Sequence, residues 1–261
     1  MSNENPRTQV IGRLPSWGTA AIDDLHTTLA SRADPFPCFF AVSAVRKSTL
    51  RFGFVDDVDD ERTWARLPDI LTEYLRVYRH IDRETALIVF FGSARPVADI
   101  DRYRQRFWEV LQFLHGSDEA SWPAEIPQDT DNAAWEFSFG GTPLFVVCNT
   151  PAHRSRRSRF SPTFMISFQP RWVFEEIDAA TPRGAAARRV IRKRLREFDR
   201  REPPPGLLGN YGDPDNREWR QYFLPDGDDR NGQSCPFRHR DDWSVEGELP
   251  ESLQIRLARG E

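Results

Sequence analysis

His153 stands in the run Pro151-Ala152-His153-Arg154-Ser155-Arg156-Arg157-Ser158-Arg159, and no other stretch of the chain gathers as much chemistry in so few positions. A neutral imidazole can serve as the axial ligand of a metal or a haem iron. Guanidinium forks match carboxylate, phosphate or propionate oxygens two at a time. The run therefore reads as a candidate iron ligand, His153, beside a candidate anion cradle built from Arg154, Arg156 and Arg159. The ordinary alternative is a loop histidine bonded to a backbone carbonyl. No second histidine lies three or four residues away and no CxxC occurs, which argues against zinc. Neither GxGxxG nor GxxxxGK[ST] is present, so nucleotide phosphate has no support.

Two cysteines offer a different iron ligand. Cys38, in Pro37-Cys38-Phe39-Phe40, and Cys235, in Cys235-Pro236-Phe237, each precede aromatic residues. Either could be an iron thiolate; either could equally be a small buried hydrophobe. Cys148 sits inside an apolar strand and reads as core. Glu136 alternates with Trp135 and Phe137, so it points to the opposite face of its strand. Facing solvent it is mere polar decoration. Facing a pocket, a carboxylate beside aromatics is what a guanidinium substrate needs.

Residue pattern predicts the framework that carries these groups. Leu144 to Cys148 is apolar at every position, which suits a strand covered on both faces. It succeeds the turn signal Gly140-Gly141-Thr142-Pro143 and ends at Asn149-Thr150-Pro151, handing the basic run to the rim of a sheet. A further strand is expected at Phe164–Phe168, another at Thr85–Phe91, and a hairpin of two strands over Cys38–Val55. Three- and four-residue apolar spacing predicts helices over Thr19–Arg32, Arg62–Ile81, Asp99–His115 and Gly184–Phe198, with a short one from Arg171. The fold class is α+β: a mixed, largely antiparallel sheet with helices packed against it, in a single domain with a loop-rich C-terminal extension. Residues 1–18 read as a flexible leader, 19–237 as the domain and 238–261 as a charged tail.

Bulk properties set the outer limits. The 261 residues are 39% hydrophobic, with eight Trp and nineteen Phe, enough for a buried core. Three scattered cysteines do not make a disulfide framework and suggest a reducing compartment. The first residues lack a signal peptide's apolar stretch, and no run is long enough for a membrane helix. The expectation is a cytoplasmic protein with no membrane partner. A net charge of −4 gives no support to nucleic-acid binding, and the arginine-rich face of Gly184–Phe198 reads as solvated.

Three segments in order, Pro35–Ala41 (PFPCFFA), Trp135–Phe160 (WEFSFGGTPLFVV…TPAHRSRRSRF) and Trp219–Leu224 (WRQYFL) followed by Cys235–Phe237 (CPF), resemble the YqcI/YcgG family. The resemblance implies a haem-dependent N-oxygenase, since members of that family hydroxylate guanidine nitrogens. Other members carry Gly-Leu-His-Pro where this chain has Cys148-Asn149-Thr150-Pro151, so the ligand expectation moves from position 150 to His153, with Cys38 and Cys235 as alternatives. The resemblance further implies haem b, O₂ and an external reductant or electron-donor protein, acting on L-arginine or another guanidine in a specialised biosynthetic pathway. On that reading Arg154, Arg156 and Arg159 hold haem propionates or the substrate carboxylate, and Glu136 meets the guanidinium. Cys38, Phe39, Trp135, Asn149 and Pro151 form the haem pocket. The alternative is a non-catalytic haem- or anion-binding sensor; a homodimer is compatible with either.

Overall fold

Ala86–Phe91 is apolar at all six positions and buried at all six, so this strand has to be covered on both sides. It is the second of five strands in the computed structural model, which describes residues 9–93, 97–177, 182–201, 208–209, 213–227 and 234–240. The strands are β1 (Leu50–Val55), β2 (Ala86–Phe91), β3 (Ser138–Phe139), β4 (Thr142–Asn149) and β5 (Phe164–Pro170), in the order β1-β2-β5-β4-β3. Only β1 and β2 run parallel; the other pairings are antiparallel. The helices are α1 (Gly18–Ala30), α2 (Phe39–Arg46), α3 (Leu67–Ile81), α4 (Ile100–Ser117), α5 (Pro182–Asp199) and α6 (Trp219–Tyr222). The expected mixed α+β sheet is therefore what forms.

Strand alternation sorts the sheet into two faces. On the first, Leu87, Val89 and Phe91, Leu144, Val146 and Cys148, and Phe164, Ile166 and Phe168 pack in one cluster with residues of α3, α4 and α6. On the second, Phe52, Phe54, Ile88, Phe90 and Met165 pack with Ala21, Ile22 and Leu29 of α1 and Ala44 of α2. Gly140 and Gly141 turn β3 into β4 with φ of 58° and 67°, pairing Phe139 with Thr142. Both central residues in the left-handed region make the tight hairpin turn that glycine favours.

Several expectations are corrected. The hairpin over Cys38–Val55 is a helix followed by a strand: Phe40, Ala41 and Ala44 share one side of α2 at helical spacing, and Ser48 at φ 59° reverses the chain into β1. An apolar run of that length carries no alternation to mark it as a strand. Trp135–Phe137 lies ahead of the short strand β3. The helix predicted from Arg62 begins as a 3₁₀ turn over Glu61–Arg66, and α3 itself starts at Leu67 with Pro68 in its first turn, where a missing N–H costs nothing. The leader is packed from Gln9 onward: the Ile11 N–H donates to Phe52 O at 2.8 Å and Ile11 is buried. At the other end His239 is buried, with its ring 4.5 Å from that of Trp122. Residues 1–8, the Pro203–Gly206 break and residues 241–261 lie outside the described residues. Among the described residues no helix is long and apolar enough to cross a membrane.

Candidate active site

β4 carries the site. Its burial alternates: Leu144, Val146 and Cys148 are sealed against the first core, while Phe145 and Val147 are half-buried. These two and Asn149 face the second side, opposite Gln169, Ser167 and Met165 of β5. Together they floor a cavity of about 500 Å³. Its other walls come from Leu25 and Leu29 of α1, Cys38, Phe40 and Ala41 at the start of α2, and Ala187, Ile191 and Leu195 of α5. The strand read as covered on both faces is thus covered by packed side chains on one and by a cavity on the other.

Polar groups enter this apolar chamber at a few points. Cys38 immediately precedes α2. Burial pushes its thiol up; the nearby backbone N–H groups of Ala41 and Phe40 and the charge of Arg159 pull the other way. Arg159, on the short 3₁₀ turn Arg157–Arg159, donates from Nη2 to Gln221 O at 2.9 Å. Its Nη1 is shut off from solvent without a hydrogen-bond partner. Burial lowers this guanidinium to about 10, an uncommon cost for an arginine.

An acidic pair forms another part of the wall. Glu136 is 3% exposed and Glu218, the residue before α6, is 5% exposed. Arg171 donates from Nε to Glu136 Oε2 at 2.6 Å and makes a second contact through Nη2. The two carboxyl groups are hydrogen-bonded to each other, which requires one of them to carry a proton. Burial raises both; the charge of Arg171 pulls Glu136 back, and the charge of Glu136 pushes Glu218 further up. Arg171 is bonded to Glu136, so the charge rests there and Glu218 holds the proton.

Most of the basic run lies elsewhere. Backbone N–H groups of Arg154, Ser155 and Arg156 all donate to Asp226 Oδ1, at 3.0, 2.9 and 2.8 Å. Burial pushes the Asp226 carboxyl up, but these donors outweigh it and hold it below the ordinary value. Arg156 is fully buried, donating from Nε to Pro225 O at 2.9 Å, with Nη1 3.7 Å from Asp199. Arg157 contacts Asp34 and donates to Phe198 O at 2.9 Å. The Arg154 side chain is exposed. The run is a latch that ties the end of β4 to the segments around Asp199 and Asp226, and among its arginines Arg159 alone reaches the cavity.

His153 belongs to that latch. Its Nε2–H donates to Leu224 O at 2.9 Å, and since a carbonyl only accepts, Nδ1 is left to accept from Thr150 Oγ1, also at 2.9 Å. Thr150 Oγ1 in turn accepts from the Ala152 N–H at 3.1 Å. Burial lowers this imidazole to about 4, so it is neutral. With both nitrogens committed and the ring outside the cavity wall, His153 has no lone pair to give an iron in this arrangement. Of the residues expected at the site, His153, Arg154 and Arg156 thus lie off the cavity lining.

Of the other residues expected in a pocket, Cys38 and Asn149 line the cavity. Phe39 sits beside Phe40 with ring centroids 4.2 Å apart, off the lining, and Pro151 is also off it. Trp135 is sealed into the first core, and Cys235 packs against that same core. Three residues that sequence reasoning passed over do line the cavity: Glu218, Arg171 and Ser167. A carboxylate directly before the aromatic segment Trp219–Leu224, and a serine interrupting an apolar strand, are the signals that could have found Glu218 and Ser167; nothing local marks Arg171. Among the described residues no group of three or more His, Cys, Asp or Glu is placed to hold a metal ion. Haem asks less of the protein, one axial ligand and an apolar slot, and Cys38 on this cavity fits that demand.

Known proteins carry the same sequence pattern. The model of the YqcI/YcgG family matches residues 25–238. The Bacillus subtilis (strain 168) protein YcgG is 41% identical over 229 residues, 87% of this chain and 90% of that protein. YqcI of the same organism is 39% identical over 227 residues, 86% and 89%. A Streptomyces lavendulae protein named "Putative N(omega)-hydroxy-L-arginine synthase DcsA" is 33% identical over 239 residues, 89% and 88%. No solved structure matches.

Proposed function

The chain belongs to the YqcI/YcgG family, and from that premise we propose that it N-hydroxylates the guanidine group of L-arginine with a haem seated in the cavity beside β4. The name of the Streptomyces lavendulae relative supports the reaction. The observation that carries the reading is that one apolar cavity is lined both by a thiol at a helix start and by a buried acidic pair.

Bound haem supplies the activation of O₂, with electrons from an external donor. The protein's residues bind and orient. Cys38 would hold the iron: on coordination its thiol would release its proton to solvent, because the metal's charge favours the thiolate and offsets the upward push of burial. The backbone N–H groups of Phe40 and Ala41, at the start of α2, favour the anion. The open Nη1 of Arg159 takes a carboxylate oxygen of the substrate. Glu136 and Glu218 receive the guanidinium. Leu29, Ile88, Val147 and Ile191 keep bulk water from the reacting nitrogen.

Purified protein titrated with haem should develop a Soret band, and its ferrous–CO complex should have the red-shifted band of thiolate ligation. With arginine, O₂ and a reductant it should form N-hydroxyarginine. Absence of any Soret band after haem supplementation would overturn the reading. A His153→Gln variant should keep the wild-type spectrum.

A further inference from the structure

Resting on the guanidine reading, we propose that the hydrogen-bonded Glu136–Glu218 pair is a proton-linked cation receptor: a guanidinium seats on it as Glu218 gives its proton to solvent.

The charge count leads there. Glu136 carries one negative charge, matched by Arg171 at 2.6 Å, and Glu218 is neutral because a second charge beside the first has no partner. The set is electrically balanced as it stands. Both carboxyl groups are almost wholly buried, so a cation added to the balanced set would leave an unmatched charge out of water. Loss of the shared proton restores balance and leaves two carboxylates against two guanidinium groups, Arg171 and the ligand. The charged and titratable neighbours that bear on the pair are Arg171, from the 3₁₀ turn Arg171–Ile177, and Tyr222 of α6. Tyr222 donates to Leu144 O and accepts from the Phe137 N–H, each at 3.2 Å, and burial holds its phenol far above its ordinary value, so it stays neutral.

A second, separate feature of the same cavity fixes the class of ligand. The Nη1 of Arg159 is enclosed and has no acceptor. A chamber with an acidic pair and an unanswered guanidinium nitrogen suits a molecule carrying both signs of charge: a free amino acid with a guanidine tail. A decarboxylated guanidine lacks one of the two.

Calorimetric titration of the full-length protein tests this without any turnover. L-Arginine is titrated in two buffers of different ionisation enthalpy, across a pH series, with agmatine and guanidinium chloride as further probes. Linkage requires about one proton released per arginine bound, and affinity rising about tenfold per pH unit below the pKa of Glu218 in the free protein. Agmatine should release the same proton while binding more weakly. Glu218→Gln, which keeps the hydrogen bond but has no proton to lose, should bring the count to zero, flatten the pH dependence and weaken arginine. Glu218→Asp should restore both. If Glu218→Gln does not fold, the wild-type proton count decides. Arginine bound with no proton released, as when Arg171 swings away instead, overturns the inference and leaves the guanidine reading standing. Failure of arginine, agmatine and guanidinium alike to bind overturns both.

Discussion

Leu144, Val146 and Cys148 look from β4 into a solid core, while Phe145, Val147 and Asn149, the alternate residues of the same strand, look into a cavity. Both sets are largely apolar, and nothing in side-chain type separates a wall from a filling. What separates them is the layer above. On the first face α3 and α4 lay buried residues directly on the strands. On the second, α1 and α2 pack over β1 and β2, while α5 lines only the far side of the space over β4 and β5. The polar interruptions obey the same division: Ser167, Gln169 and Asn149 all point to the cavity side.

The two cysteines test that division most severely. Cys38→Ala should abolish the thiolate spectrum and lower arginine hydroxylation at least about a hundredfold, since even outer-shell changes cost a site ten- to a hundredfold. Cys148→Ala, on the packed face, should keep spectrum and turnover and lose only stability. Absorption and product assays on the two variants side by side check it; an unchanged spectrum in Cys38→Ala would break the comparison.

Truncating the packed face should then cost the most stability. Phe168 is fully buried in the first core, so Phe168→Ala should destabilise by about 3–5 kcal/mol, read from urea unfolding at constant m-value. A loss below about 1 kcal/mol would mean that face is not the solid one.

These assignments show what the sequence could say. The strands at β2, β4 and β5 were readable as short unbroken apolar runs, the turn before β4 from its two glycines, and the long helices because one-sided burial imposes a three- and four-residue period. The cavity was not, since Val146 and Val147 are the same residue and only the partner layer tells them apart. His153 is ambiguous from sequence because an imidazole in a basic loop looks alike whether it binds iron or bonds Thr150 and Leu224, and Leu224 lies 71 residues on. Glu136, which lines the cavity, was visible because a carboxylate between aromatics is conspicuous. Its partner Glu218 was not, because nothing local ties two carboxylates 82 positions apart, by their numbers 136 and 218.

The latch that replaces the expected ligand has its own pH signature. His153 titrates near 4 in the fold, because burial disfavours its charge, and near 6.5 when unfolded. Above pH 6.5 both states are neutral and the histidine adds nothing to the pH dependence. As pH falls from 6.5 to 4 the unfolded chain takes up a proton that the folded chain refuses, so stability drops by roughly 3 kcal/mol over that window. His153→Asn should flatten that part of the stability profile by about one proton. An unchanged slope would place His153 outside the buried circuit.

The mildest change should come from the cavity wall itself. Val147 is half-buried and already borders empty space, so Val147→Ala removes two methyl groups with little new void to open. Its cost should be under about 1.5 kcal/mol, whereas Val146→Ala, one residue away and wholly enclosed, should cost more. In function the order should invert: Val147→Ala enlarges the chamber and should raise the KM for arginine several-fold, while Val146→Ala leaves it unchanged. Unfolding curves and steady-state kinetics on the two neighbours decide it, because a shared effect on both measurements would mean that β4 has one environment rather than two.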